Sequence, residues 1–369
     1  MPKKAGILDY SACNARCNHC NRGALNRLRD SAGEERILDG IEVLKSKGVS
    51  RFNFSGGEPT LNPSLEKFIE RAADKDEKGR PRNVVAVSTN GSWGDEAKKR
   101  LARYHELGVR KIGLSLDGFE KTHDSIRGFP GLYGRVINII EAAASCRTEG
   151  IPVPFIKINI AAQPGNVDEL EGLAKEFTEK GFYVSVTFVT RYGRGWNLGL
   201  SEVQIDRVNA ARRYLNENGV NIDPEVGTDR LYRYSFREFK KRPHCFCYEK
   251  GFERVLLSSD GSVFLCPHFF TPYAATIGNV REKGLDLILD EFKAGADKDF
   301  YWLFVDPAGA EEKRKFLEEL DASRYDGIRW SKKCIPCSIL STFVYLRRTG
   351  YNADNANNLA ESIAKGEKI

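Results

Sequence analysis

Short β-branched and aromatic runs alternate with longer amphipathic stretches from residue 5 to about residue 190, which predicts parallel strands joined by helical crossovers. The strand runs are AGILDY, RFNFS, NVVAVS, KIGLSL, FIKINIA and YVSVTFV. Between them lie segments such as EERILDGIEVLKSKG and DEAKKRLARYHELG, whose apolar residues recur at helical spacing. These six units fall short of a closed TIM barrel, so the expected fold is α/β, a partial (β/α)6 TIM-like barrel. In such folds ligands gather at the carboxyl ends of the strands, and the unusual loops sit there: the Cys13 loop, SGGEP, STNG, SLDG and TRYGRG.

A helical segment over 202–217 is followed by the Arg-rich stretch GTDRLYRYSFREFKKRPH, the expected junction to a second module. We therefore expect a barrel over residues 1–220 and a further domain over 221–369. The latter opens with FERVLLSSDGSVFLC, two β-prone runs around Asp260-Gly261 that signal a hairpin.

Composition narrows the class. Apolar residues make up 41% and charged residues 29% of the 369, the balance of a folded domain. The formal charge of +6 is spread among 51 acids, so no basic face for nucleic acid emerges, although a basic cleft for an anionic substrate fits. No run reaches the roughly 18 apolar residues of a membrane span, and no signal peptide precedes the first strand, so the expected location is the cytoplasm.

Nine cysteines in that setting point to metal ligation or catalysis rather than disulfides. Cys13, Cys17 and Cys20, spaced C-x3-C-x2-C on a loop after the first strand, suit three corners of a four-iron cluster. The fourth iron is then open to a ligand carrying an amine and a carboxylate. A zinc site completed by His19 and three buried thiols are the competing readings. One βα unit later, Gly56 and Gly57 let backbone approach a ligand, and Glu58 adds a carboxylate suited to an amino group.

The C-x3-C-x2-C loop and the GGE motif resemble those of the radical S-adenosylmethionine (SAM) superfamily. SLDGFEKTHDSIRGFPG, KINIAAQPGNVDEL and TRYGRG are similar to barrel motifs of its members that carry a SPASM or shorter twitch extension. The resemblance implies that Cys13, Cys17 and Cys20 bind the cluster and that Gly56, Gly57 and Glu58 receive the SAM amino group. It further implies SAM contacts for Ser88, Asn90, Ser115, Asp117 and Asn159, with Arg127 pairing the SAM carboxylate. His19 stands in a slot usually filled by an aromatic residue near adenine, where it either stacks or remains a solvated loop histidine.

The same resemblance carries to the second cysteine set. Thirteen residues separate Cys247 from Gly261, and four more separate Gly261 from Cys266, as in the twitch hairpin. Cys334 and Cys337 complete four thiolates for an auxiliary iron-sulfur cluster, against the alternative of a structural zinc. Cys245 fits the hairpin spacing too, so either it or Cys247 is the ligand. A spare Cys245, or Cys146, is a candidate hydrogen donor to a substrate radical.

The implied chemistry is reductive cleavage of SAM by a flavodoxin- or ferredoxin-type donor, then hydrogen abstraction from substrate. Since the cysteine loop begins at residue 13, no leader-gripping domain is expected before it, which favours a polar small molecule such as a sugar, aminoglycoside or nucleoside, oxidised or epimerised. Peptide maturation by cross-linking or epimerisation is the alternative, and a non-catalytic iron-sulfur or zinc protein the last.

Overall fold

The computed structural model describes residues 4–10, 12–21, 33–80, 82–218, 254–264, 276–294, 310–326, 328, 339–340, 342–344, 346–347, 349–365 and 367. Its strands begin with β1 (Lys4–Tyr10), β2 (Arg51–Gly56), β3 (Val84–Thr89), β4 (Val109–Ser115), β5 (Phe155–Ala162) and β6 (Tyr183–Phe188). Each pairs in parallel with the next, which is the expected partial barrel. The connecting helices are α1 (Glu34–Ser46), α2 (Leu65–Ala73), α3 (Ala97–Leu107), α4 (Glu120–Arg127), α5 (Leu132–Thr148) and α6 (Leu170–Glu179), followed by α7 (Glu202–Glu217).

Alternation along each strand decides which side chains meet the helices. In β5, Ile156, Ile158, Ile160 and Ala162 are buried, whereas Lys157, Asn159 and Ala161 lie on the opposite, partly accessible face. Helix α5 answers with Leu132, Val136, Ile139, Ile140, Ala143 and Cys146, a buried seam at helical spacing. Cys146 is thus part of the packing between helix and sheet, and it is fully buried.

The sheet does not stop at six strands. The Asp260-Gly261 hairpin forms as β7 (Arg254–Ser258) and β8 (Ser262–Phe264), with Gly261 at φ +87° in the turn. Instead of starting a separate sheet, β7 pairs in parallel with β1, and β9 (Gly278–Asn279) extends the order to β6-β5-β4-β3-β2-β1-β7-β8-β9. Val255, Leu256 and Leu257 are buried, so this strand covers the β1 edge that a six-stranded sheet would leave open. Gly6 of β1 makes room for it, since a Cβ there would come within 2.4 Å of Leu256 Cδ2. Helices α8 (Leu285–Ala294), α9 (Ala310–Glu319) and α10 (Ala353–Lys365) follow. No helix among the described residues is long and apolar enough to cross a membrane. Cys245, Cys247, Cys266, Cys334 and Cys337 lie outside the described residues.

Candidate active site

The cysteine loop is pinned by backbone at both ends and in the middle. Ala12 O accepts from Glu58 N at 2.8 Å, Arg16 N donates to Arg127 O at 2.8 Å, Asn18 N donates to Ile126 O at 2.9 Å, and Cys20 O accepts from Arg194 N at 3.2 Å. The loops after β2 and β6 and the end of α4 therefore all hold it. The last of these contacts requires glycine: Gly193 has φ +60°, and a Cβ there would lie 2.8 Å from Asn21 O and 2.9 Å from Cys20 O.

Cys13, Cys17 and Cys20 are free thiols. Burial pushes Cys13 up to about 11, with the Ala15 amide pulling it back and the charges of Glu58, Cys17 and Cys20 adding to the rise. Cys17 is raised by burial and partly relieved by Arg127. Loading a metal here therefore releases protons. Three mutually coupled thiols with a cation beside them are the donor set that an anionic iron-sulfur cluster needs, and one cluster corner remains for another ligand. Among the described residues no three His, Cys, Asp or Glu side chains are grouped to hold a single ion.

Glu58 is buried, and both its oxygens accept bonds from within the protein. Oε1 accepts from Thr60 N (3.2 Å), Thr60 Oγ1 (2.6 Å) and Thr89 Oγ1 (2.6 Å), and Oε2 accepts from Asn90 N (2.7 Å). Burial raises its pKa despite those donors. The carboxylate thereby ties the β2 and β3 loops together, leaving the Gly56-Gly57 backbone as the part of the motif without a side chain. Asn90 continues the tie, donating from Nδ2 to Asn14 Oδ1 at 2.9 Å in the cysteine loop.

Asp117 and Arg127 form the second centre. Asp117, completely buried, accepts from Ala161 N at 2.8 Å through Oδ1 and faces Arg127 Nε at 2.7 Å through Oδ2. Burial opposes its ionisation, but Arg127, His19 and the Ala161 amide outweigh that and hold its pKa below the usual carboxylate value. Arg127 also directs Nη1 at Cys17 Sγ, 3.7 Å away. His19 is no solvated loop residue: its Nε2 lies 3.8 Å from Asp117 Oδ2 and its Nδ1 3.4 Å from Gln163 Nε2. Burial lowers its pKa to about 4, so the ring is neutral at pH 7.

Beneath these loops the accessible faces of the strands form a polar lining. Ser88 Oγ donates to Asn53 Oδ1 at 3.1 Å. Gly113 stands between Ser88 and Asn159, whose Nδ2 would be 2.9 Å from a Cβ there. Asn159 is in register with Ser115 on one side and Ser185 on the other. Lys157, two residues from Asn159, and Lys111 share this face by alternation.

Ser88, Asn90, Ser115, Asp117, Arg127 and Asn159 thus come together with the cysteine loop, whereas Cys146 does not. It sits at the carboxyl end of a crossover helix that runs back against the strands, hence at the opposite end of the barrel. Asn14, Thr89, Gln163, Asn166 and His123, which no sequence motif singles out, also help to hold the site together. Asn166 Nδ2 donates to Asp117 O at 2.7 Å and to Ala161 O at 3.0 Å. His123 Nδ1 accepts from Asp117 N at 2.9 Å. Nothing in a lone QPGN turn or a helical histidine signals these bonds; only their strand-end positions hint at them.

His123 yields a pH prediction. Burial lowers its pKa from 6.5 to about 4. The unfolded chain therefore takes up the proton first as pH falls, and stability drops below pH 6.5 until the folded-state value is reached. Between pH 6.5 and 5 this amounts to about 2 kcal/mol at about 1.4 kcal/mol per pH unit. His123→Asn, which keeps an acceptor for Asp117 N, should flatten that slope in urea titrations at pH 6.5 and 5; an unchanged slope would assign the acid loss to other groups.

A parallel partial barrel with a three-thiol loop after its first strand is an architecture in which a cluster and its ligand would meet at the strand ends. Residues 7–177 match the family model of the Radical SAM superfamily, and the chain carries a domain of that superfamily. The cofactors that go with it are a four-iron cluster, which the thiols fit, and S-adenosylmethionine. Fe-coproporphyrin III synthase of Methanosarcina barkeri is 29% identical over 314 residues, covering 77% of this chain and 73% of the relative. The S-adenosylmethionine-dependent nucleotide dehydratase of a Thermoplasmatales archaeon is 33% identical over 160 residues, covering 43% of this chain and 52% of the relative, so the chain matches about half that protein's length. The structure of Streptococcus suis SuiB bound to S-adenosylmethionine shares the fold at a TM-score of 0.56 and 18% identity, covering 81% of this chain and 68% of that one.

Proposed function

We propose that this radical SAM enzyme abstracts hydrogen from a polar small molecule carrying an anionic group and oxidises it. The observation that supports this reading is the row of Asn53, Ser88, Ser115, Asn159 and Ser185, with Lys111 and Lys157 on the same face nearer the amino ends of their strands and no acid on that face among the described strand residues. Such a face offers hydrogen bonds toward the carboxyl ends of the strands, with the apolar Val84 and Phe155 on the same face nearer the amino ends. The relatives named for a coproporphyrin and a nucleotide, both anionic, favour the same class.

When bound, the cluster supplies the electron that cleaves SAM to methionine and the 5′-deoxyadenosyl radical. The chain's residues do the rest. Cys13, Cys17 and Cys20 hold the cluster, the Gly56-Gly57 backbone ordered by Glu58 meets the SAM amino group, and the remaining face of the Arg127 guanidinium meets its carboxylate. Ser88, Asn90, Ser115, Asp117 and Asn159 orient the ribose and amino-acid portions, with His19 beside adenine. The substrate loses one hydrogen atom to the deoxyadenosyl group, then an electron and a proton.

An auxiliary iron-sulfur cluster on Cys247, Cys266, Cys334 and Cys337, within a domain over 221–369, is the proposed electron acceptor, and a flavodoxin- or ferredoxin-type protein in the cytoplasm the proposed donor. The Asp260-Gly261 hairpin supports the former, because it supplies the turn between the first two of these cysteines. The test is anaerobic incubation of reconstituted enzyme with SAM and dithionite against panels of nucleotides, sugar phosphates, polycarboxylates and peptides. An anionic small molecule should raise 5′-deoxyadenosine formation at least tenfold and yield product two hydrogens lighter. Stimulation by peptides alone would reverse the assignment in favour of peptide maturation, and solvent deuterium in the product would indicate epimerisation.

A further inference from the structure

We propose that the buried Asp117–Arg127 pair is an electrostatic lever on the cluster, setting its reduction potential through the Cys17 sulfur. The proposal rests on the reading that Cys13, Cys17 and Cys20 hold a four-iron cluster. Its basis is two successive contacts of three side chains: Asp117 Oδ2 to Arg127 Nε at 2.7 Å, and Arg127 Nη1 to Cys17 Sγ at 3.7 Å. Asp117 is 0% and Arg127 9% exposed, so water and salt screen neither charge well.

A donor and a positive charge at a ligating sulfur stabilise the more negative, reduced state of a cluster and so raise its potential. Asp117 works against that effect from the far side of the guanidinium. The two residues should therefore shift the potential in opposite directions when neutralised. Asp117 is also held by Ala161 N, which fixes the lever's far end at 2.8 Å independently of Arg127.

The loop itself does not hang on the guanidinium. Arg16 N and Asn18 N are bonded to the carbonyls of Arg127 and Ile126, contacts of backbone that survive a change of side chain. A neutral residue at 127 thus removes charge from the cluster while leaving its loop anchored. If the pair served only to brace the barrel mouth, neutralising either partner would loosen the loop in the same way and produce no opposed shifts.

The experiment compares wild type, Arg127→Gln, Arg127→Lys and Asp117→Asn after anaerobic reconstitution, with iron counts first and then redox titrations followed by electron paramagnetic resonance. Arg127→Gln should lower the potential and Asp117→Asn should raise it, each by at least tenfold in the one-electron reduction constant, about 59 mV. Arg127→Lys, which keeps the charge but loses the fork, should fall between wild type and Arg127→Gln. Shifts of the same sign, or none, would overturn the lever. If Arg127→Gln retains no cluster, the opposed signs of Arg127→Lys and Asp117→Asn decide the matter. A wild-type protein that takes up no four-iron cluster on the first cysteine set would instead overturn the reading beneath it.

Discussion

Replacing Cys13, Cys17 and Cys20 together by alanine should remove about four irons from the reconstituted protein and abolish 5′-deoxyadenosine formation. The magnitude follows from the site's construction. On the proposed assignment the cluster hangs from three thiols on one loop, and no other described cysteine stands near enough to replace them, since Cys146 is buried in α5 at the opposite end of the barrel. The loop's position does not depend on the sulfurs. Glu58 N, Arg16 N, Asn18 N and Arg194 N hold it through backbone bonds, so the triple variant should fold and melt cooperatively. An iron count unchanged from wild type would mean that the metal sits elsewhere. If the second set of cysteines carries its own four-iron cluster, wild type should hold about eight irons and the variant about four.

Glu58→Ala should cost about 4 kcal/mol of stability, read as a lower urea midpoint with an unchanged slope. Four donors converge on this carboxylate, two of them hydroxyls that can turn to other acceptors. The amides of Thr60 and Asn90 cannot turn, and each buried amide left without an acceptor costs about 1–3 kcal/mol. The damage should also reach the cysteine loop, because Asn90 holds Asn14 and Glu58's own amide holds Ala12. Glu58→Gln, whose amide keeps one acceptor oxygen, should lose about half as much. A loss below 1 kcal/mol for the alanine variant would show that water or a shifted side chain satisfies both amides.

These two predictions differ in how far the sequence anticipated them. The cysteine spacing and the GGE motif are each visible in one dimension because each lies within one short loop. Glu58 reads as a carboxylate offered to an amine, and the structure adds that its two oxygens also accept from Thr60, Thr89 and Asn90. Periodicity shows that a glutamate ends a strand, but its partners lie as far as 32 residues away, and no local pattern encodes them. The same holds for Gln163 beside His19, 144 residues distant. The hairpin at Asp260-Gly261 was legible from its turn residues, while its pairing with β1 was not, because strand neighbours are chosen by which edge remains open.

By itself the sequence determined the six parallel units, through apolar alternation that must bury one strand face, and offered the three-thiol loop, through a C-x3-C-x2-C spacing that suits a shared cluster. Only the tertiary structure decided that Asp117 faces Arg127, that Arg127 reaches Cys17, and that Asn53, Ser88, Ser115, Asn159 and the buried Ser185 share one face of the sheet. Local propensity acts within a few residues and sets the elements. The state of a buried charge depends on whichever opposite charge the fold brings within a few ångströms, and that is a property of the assembled barrel alone.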